Sequence, residues 1–275
     1  MKILRVMLYC LLGGLSLTCL ALTSGAFAQF WLAGIVLAAS FVPVALFGPR
    51  RVLSQFGVIA PVLMIVTVLC LWSEALIFVR VPEVQQHAVR DLVGAAVMYM
   101  IVAVVLSALA AVLKLPRADG PQGQLWPTGK LSVLIVACGL AYVLFYLVFG
   151  SITYQFFTKP YYPDATRIVA RLGLWFWLIQ IARGVLMTLA VIPVIRTLRM
   201  SRLHAAIAVG LLLWVAGGVT PLLLPNPFMT GTLRLFHVIE ILTQNAPFGI
   251  TAVLLLRPKH ARKSADLPGP LTAPA

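Results

Sequence analysis

Eight stretches of mostly apolar residues, each long enough to cross a bilayer and each bounded by polar or basic residues, leave this chain few ways to fold. In hydrocarbon every backbone N–H and C=O needs a partner within the protein, so isolated apolar runs of this length become helices. The expected fold is an all-α, polytopic transmembrane helix bundle of about eight spans. Hydrophobic residues make up 61% of the chain and charged ones 10%, which excludes an ordinary soluble domain, where charged residues approach about a quarter.

The segments run from about Val6 to Ala28, Phe30 to Phe47, Gly57 to Val79, Leu92 to Leu113, Leu131 to Phe149, Ile168 to Val194, Leu203 to Leu224 and Thr232 to Leu256. Residues 1–113 hold the first four. Residues 114–130, KLPRADGPQGQLWPTGK, form a Pro/Gly-rich linker, and residues 131–256 hold the last four. Residues 257–275 are basic, then Pro-rich, and are expected to form a disordered tail. Lys2 and Arg5 ahead of an apolar run ending Ala26-Phe27-Ala28 imitate a cleaved signal peptide. The next apolar segment starts at once, which favours a retained first helix. Val42-Pro43-Val44 and Ile192-Pro193-Val194 precede basic loops at matching places in the two groups of four, as a parallel repeat would require. Three matching residues are what chance supplies.

The formal net charge of +14 sits between the apolar segments rather than in a patch interleaved with polar and aromatic residues, so nucleic acid is not an expected partner. With the amino terminus inside, one side collects Lys2, Arg5, Arg50, Arg51, Lys114, Arg117, Lys130, Arg196, Arg199, Arg202, Arg257, Lys259, Arg262 and Lys263. The positive-inside rule then places both termini in the cytoplasm. Cys10, Cys19, Cys70 and Cys138 all fall in apolar segments without a CxxC pair, which gives neither a disulfide framework nor a zinc site.

The last apolar segment is unusual. Arg234, His237, Glu240, Gln244 and Asn245 share one helix face within an arc of about 140°, in a setting where each ionised side chain costs a few kcal/mol. Glu74 in the third segment and Gln180 and Arg183 in the sixth add to this set. From the helical rise of about 1.5 Å per residue, Glu74, His237 and Glu240 lie at matching depth, with Arg183 roughly 20 Å down its own segment, near Gln244 and Asn245. The candidate binding residues are therefore Arg183, Arg234, His237, Glu240, Asn245 and Glu74. Pro247 removes a helix donor beside Gln244 and Asn245. A lone His237 beside Glu240 is weak for a metal, and no nucleophile motif or phosphate loop is present, so no cofactor is expected and no catalytic residue is assigned. The aromatic stretch SITYQFFTKPYYPDATR reads as an interfacial belt, in a position to cover a site.

Arg183-Gly184 with Pro193 and Arg196 (RGVLMTLAVIPVIRTL), and LLLPNPFMTGTLRLFHVIE at Leu222 to Glu240 with Asn245 and Gly249, resemble a family of bacterial polytopic membrane proteins. Members tend to carry Ser where this chain has Gln244. The resemblance spans the sixth to eighth segments and implies a bacterial inner-membrane setting, without an activity.

Three readings follow. The first is a transporter-like or solute-binding protein, its partners membrane lipid and a small anionic solute or lipid headgroup. The second is an enzyme acting on a lipid or lipid-linked anion, with Arg183 and Arg234 holding the anion and His237 with Glu240 handling a proton. The third is an accessory or assembly protein, in which the same residues form a closed salt-bridge network.

Overall fold

A computed structural model describes residues 2–20, 25–78, 82–115, 122–226 and 229–259. Among them are eight helices long and apolar enough to cross a membrane, at Lys2–Cys19, Phe27–Phe47, Val52–Phe78, Gln85–Val112, Thr128–Thr158, Leu174–Thr197, Arg202–Leu223 and Gly231–Leu256. They are numbered spans one to eight, and no strand occurs among the described residues. The chain is an all-α, multi-pass membrane protein. Lys2 and Leu256 lie on one side of it, the terminal face; the other is the far face.

Three boundaries differ from those expected. Span six begins at Leu174 rather than Ile168, because Gly173 adopts φ +53° and splits off a separate short helix, Ala165–Leu172. Only glycine enters that backbone region without strain. Span five continues through a π turn, Tyr154–Thr158, so the first aromatic residues of the suspected belt are helical. The stretch Val81 to Asp91, expected as a connection, is helical from Pro82 onward; proline starts the helix well because its missing N–H is not needed there. Arg80 lies outside the described residues, as does the tail from residue 260.

Packing contacts run from span one to two, two to seven, seven to eight, eight to five, five to six, six to three, three to four, and four back to one. The cyclic order is thus 3-4-1-2 followed by 7-8-5-6, the same arrangement twice with each number raised by four. The two halves also share a local device. Gly14 and Gly34 bring spans one and two into backbone contact, and Gly139 and Gly184 do the same for spans five and six, since a Cβ on Gly34 or Gly184 would fall 2.8 or 2.9 Å from the facing glycine Cα. Across the ring, spans three and seven meet through their π-helical segments, Leu63–Cys70 and Val215–Val219, where the Thr67 hydroxyl donates to the Ala216 carbonyl at 2.9 Å. In span four, Ala103 and Ser107, four residues apart on one helix face, are wholly buried. Span one buries Tyr9 and Leu17 completely, and Phe27 of the signal-like tripeptide is the first residue of the next helix.

On the terminal face, the end of the linker folds under the bundle. Trp126 Nε1 donates to the Leu255 carbonyl at 2.8 Å, and the Lys130 ammonium stands 3.3 Å above the Trp126 ring.

Candidate functional site

Spans three, five, six, seven and eight enclose a cavity of about 550 Å³ whose far-face side is covered by Tyr162 and the short helix Ala165–Leu172. That helix turns Ala165, Thr166, Val169 and Ala170 toward the cavity, four residues on one face by helical spacing, while Arg167 pairs with Asp164 at the surface. Most of the wall is apolar or aromatic. Two polar groups interrupt it.

The first joins spans three, five and six. Arg183 Nη1 donates to Glu74 Oε2 and to Gln180 Oε1, the latter at 2.7 Å, and the Tyr146 hydroxyl donates to Glu74 Oε1 at 2.7 Å. The guanidinium also lies 5.6 Å from the Tyr142 ring centroid, within cation–π range. Each charge in this group therefore meets an opposite charge and a neutral dipole, the condition under which an ion pair tolerates burial. Because span six starts at Leu174, Arg183 is only about 14 Å along it, shallower than the roughly 20 Å expected, and its long side chain reaches Glu74.

The second group lies along span eight and its cover. His237 Nδ1 is 2.8 Å from Glu240 Oε2, Gln244 Nε2 donates to Glu240 Oε1 at 3.1 Å, and the Tyr162 hydroxyl is 3.1 Å from His237 Nε2. A carboxylate only accepts, so Nδ1 carries hydrogen, and Nε2 of the neutral imidazole accepts from Tyr162. When the imidazole is protonated, the same hydroxyl accepts instead. His237 can thus gain or lose a proton with both bonds kept. Gly150 on span five makes room for this, since a Cβ there would lie 3.2 Å from Gln244 Nε2 and 3.6 Å from Glu240 Oε1. Burial, together with the nearby Glu240 charge, pushes the Tyr162 phenol up to about 12, so it is a hydroxyl at neutral pH.

Asn245 sits deeper and donates to the Leu213 carbonyl at 3.2 Å, next to the π segment of span seven, where the register change disturbs the regular helix bonding. Gly217 permits this approach, because a Cβ there would be 2.7 Å from Asn245 Nδ2. Span eight stays helical through Pro247.

Of the six residues singled out from the sequence, Glu74, Arg183, His237, Glu240 and Asn245 line one cavity. Arg234 stands apart. Its guanidinium donates to the carbonyls of Met229, Leu224 and Asn226, at 3.2, 3.2 and 2.6 Å, and so folds the connection before span eight. Tyr146 and Tyr162 belong to the site as well. A tyrosine hydroxyl inside an apolar run needs a partner, which was the available signal for Tyr146; Tyr162 is placed only by the chain reversal after span five. Among the described residues no three His, Cys, Asp or Glu side chains converge as a metal site would need, and His237 and Glu240 act as a hydrogen-bonded pair. Compared with family models, curated proteins and solved structures, the chain matches none.

Proposed function

We propose that the chain is a transporter-like or solute-binding protein of a bacterial inner membrane, its basic terminal face in the cytoplasm and its cavity facing outward. The observation that carries this reading is the continuity of the cavity, which is lined by Tyr162 and His237 near the far face and by Arg183, Met187 and Asn245 deeper in the bundle. Ionisable groups at membrane depth that face a bundle interior mark pathways, and transporter sites lie between structural repeats of the kind the helix order suggests here. A closed structural network would have no use for such a volume.

The test is labelling of single cysteines in a cysteine-free background with a membrane-impermeant thiol reagent. Cysteines at His237 and Asn245 are expected to react, and one at Ile239, on the exposed apolar side of the same helix, is not. Failure of both cavity positions to react would sink the reading.

The order hydroxyl, imidazole, carboxylate in Tyr162, His237 and Glu240 favours a second reading, an enzyme acting on a lipid or lipid-linked substrate. Tyr162 would serve there as a proton donor, not as a nucleophile, since it stays protonated. Turnover of membrane lipids by purified protein, lost in His237→Gln, would support that reading over transport.

A further inference from the structure

We infer that the cavity's ligand is an organic cation, an ammonium group on an apolar body, whose binding competes with protonation of His237. This rests on the solute-binding reading above and adds the ligand's chemistry.

Charge is the first observation. Among the described residues, the charged side chains lining the cavity are Glu74, Arg183 and Glu240, with His237 beside them. Arg183 is paired with Glu74. One cation against two carboxylates leaves a single negative charge, on Glu240, while the imidazole is neutral. Arg234, the other cation expected to hold an anion, has its donors on three backbone carbonyls and does not line the cavity. An anion would therefore meet an uncompensated carboxylate in a low-dielectric wall and no free cation; an ammonium would meet its counter-charge.

The walls are the second observation. Tyr146 and Trp177, both half-buried, present surface to the same volume, and the buried rings of Tyr142 and Phe176, 2% exposed, back them in tilted or edge-on pairs with centroids 5.1 to 6.2 Å apart. Aromatic faces attract alkylammonium groups and accept an apolar body without a polar penalty.

Proton competition follows from the contacts of the His237–Glu240 pair. Protonation of His237 supplies a positive charge 2.8 Å from Glu240 and cancels the site's excess negative charge. The ionisable groups that share the cavity with the pair are Tyr162 from the covering loop, Tyr142, Tyr146 and Tyr154 from span five, Glu74 from span three and Arg183 from span six; span seven contributes none. Glu74 and Arg183 compensate each other, so His237, hydrogen-bonded to Glu240, is the neighbour whose proton count sets the net charge of the site. By linkage, a bound cation disfavours the imidazolium to the same extent that the imidazolium disfavours the cation.

The experiment uses the purified full-length protein in detergent with phenyltrimethylammonium, whose charge does not vary with pH, benzenesulfonate as its anionic counterpart, and calorimetric titration. Phenyltrimethylammonium is expected to bind at least about tenfold more tightly than benzenesulfonate, to weaken about tenfold from pH 8 to pH 5, and to lose about tenfold in Glu240→Gln. His237→Gln, a second variant in case the first fails to fold, is expected to bind at pH 8 and to lose the pH dependence. Preference for benzenesulfonate, binding of neither compound, or a pH-independent affinity in the wild type would overturn the assignment. Cysteine labelling at His237 and Asn245 is independent of these ligands, so the pathway reading survives such a result if labelling succeeds and falls separately if it does not.

Discussion

Glu74 and Arg183, 109 residues apart in the chain, form an ion pair inside the bundle, with the Tyr146 hydroxyl on the other carboxylate oxygen at 2.7 Å. The pair ties span three to span six, the contact that joins the two halves of the ring on the cavity side.

Glu74→Ala leaves Arg183 without its counter-charge while only 12% of that side chain is accessible. The expected loss is roughly 3 kcal/mol, the low end for breaking a buried pair, because water reaches Glu74 through the cavity. Thermal unfolding in detergent checks this. The double variant Glu74→Leu with Arg183→Leu should recover more than half of the loss, and a double variant less stable than either single one would refute the pairing.

Tyr162 gives a pH signature at the alkaline end. Its folded value of about 12 lies above the ordinary value of 10.0, so between these limits the folded chain holds a proton that the unfolded chain has released. Stability from this group is complete below about pH 10 and falls as pH rises toward 12, by roughly 2 kcal/mol. Comparison of wild type with Tyr162→Phe by melting temperature at pH 9 and pH 11.5 isolates the effect, and tyrosinate absorbance should show one fewer late-titrating phenol in the variant.

Gly249 packs against span seven with no space for a methyl group, since a Cβ would meet the Gly210 Cα at 2.8 Å and its nitrogen at 2.9 Å. Both atoms are backbone, so Gly249→Ala must push spans seven and eight apart, at a cost of about 1–3 kcal/mol. Gly57 has nothing within 4 Å of its added Cβ, and Gly57→Ala should be neutral or stabilising by about 0.5 kcal/mol. A loss of stability for Gly249→Ala and none for Gly57→Ala, in one thermal assay, is the expected outcome.

Gly173 joins the covering helix to span six at φ +53° and ψ −126°. Gly173→Ala strains that joint by about 1–2 kcal/mol, and the strain is relieved by displacing Ala165–Leu172 and with it Tyr162. The thiol-labelling rate of a cysteine at Gln244, beneath the cover, should rise several-fold while global stability changes little. An unchanged rate would mean that the helix does not control access.

The number of spans, their approximate positions and the place of the polar site were legible in the chain because each is a local property. A run of apolar residues long enough for the bilayer must be a helix, and charge placed inside such a run must find a partner. Glu74, Arg183, His237, Glu240 and Asn245 were all visible on that ground. Their partners were not. Whether Glu74 meets His237 or Arg183 depends on which helices are neighbours, and the order 3-4-1-2-7-8-5-6 rests on contacts between segments that are not consecutive in the chain, such as Gly13 with Leu106 and Gly150 with Gln244. Arg234 carried the same residue-level signal as Arg183, yet it lies where the chain turns, and the nearest acceptors are three backbone carbonyls. The sequence by itself determined that this is a membrane bundle with charge in its later helices. Only the tertiary structure decided which charges neutralise each other, and hence the sign of what is left in the cavity, because Coulomb energy depends on distances that helix packing sets.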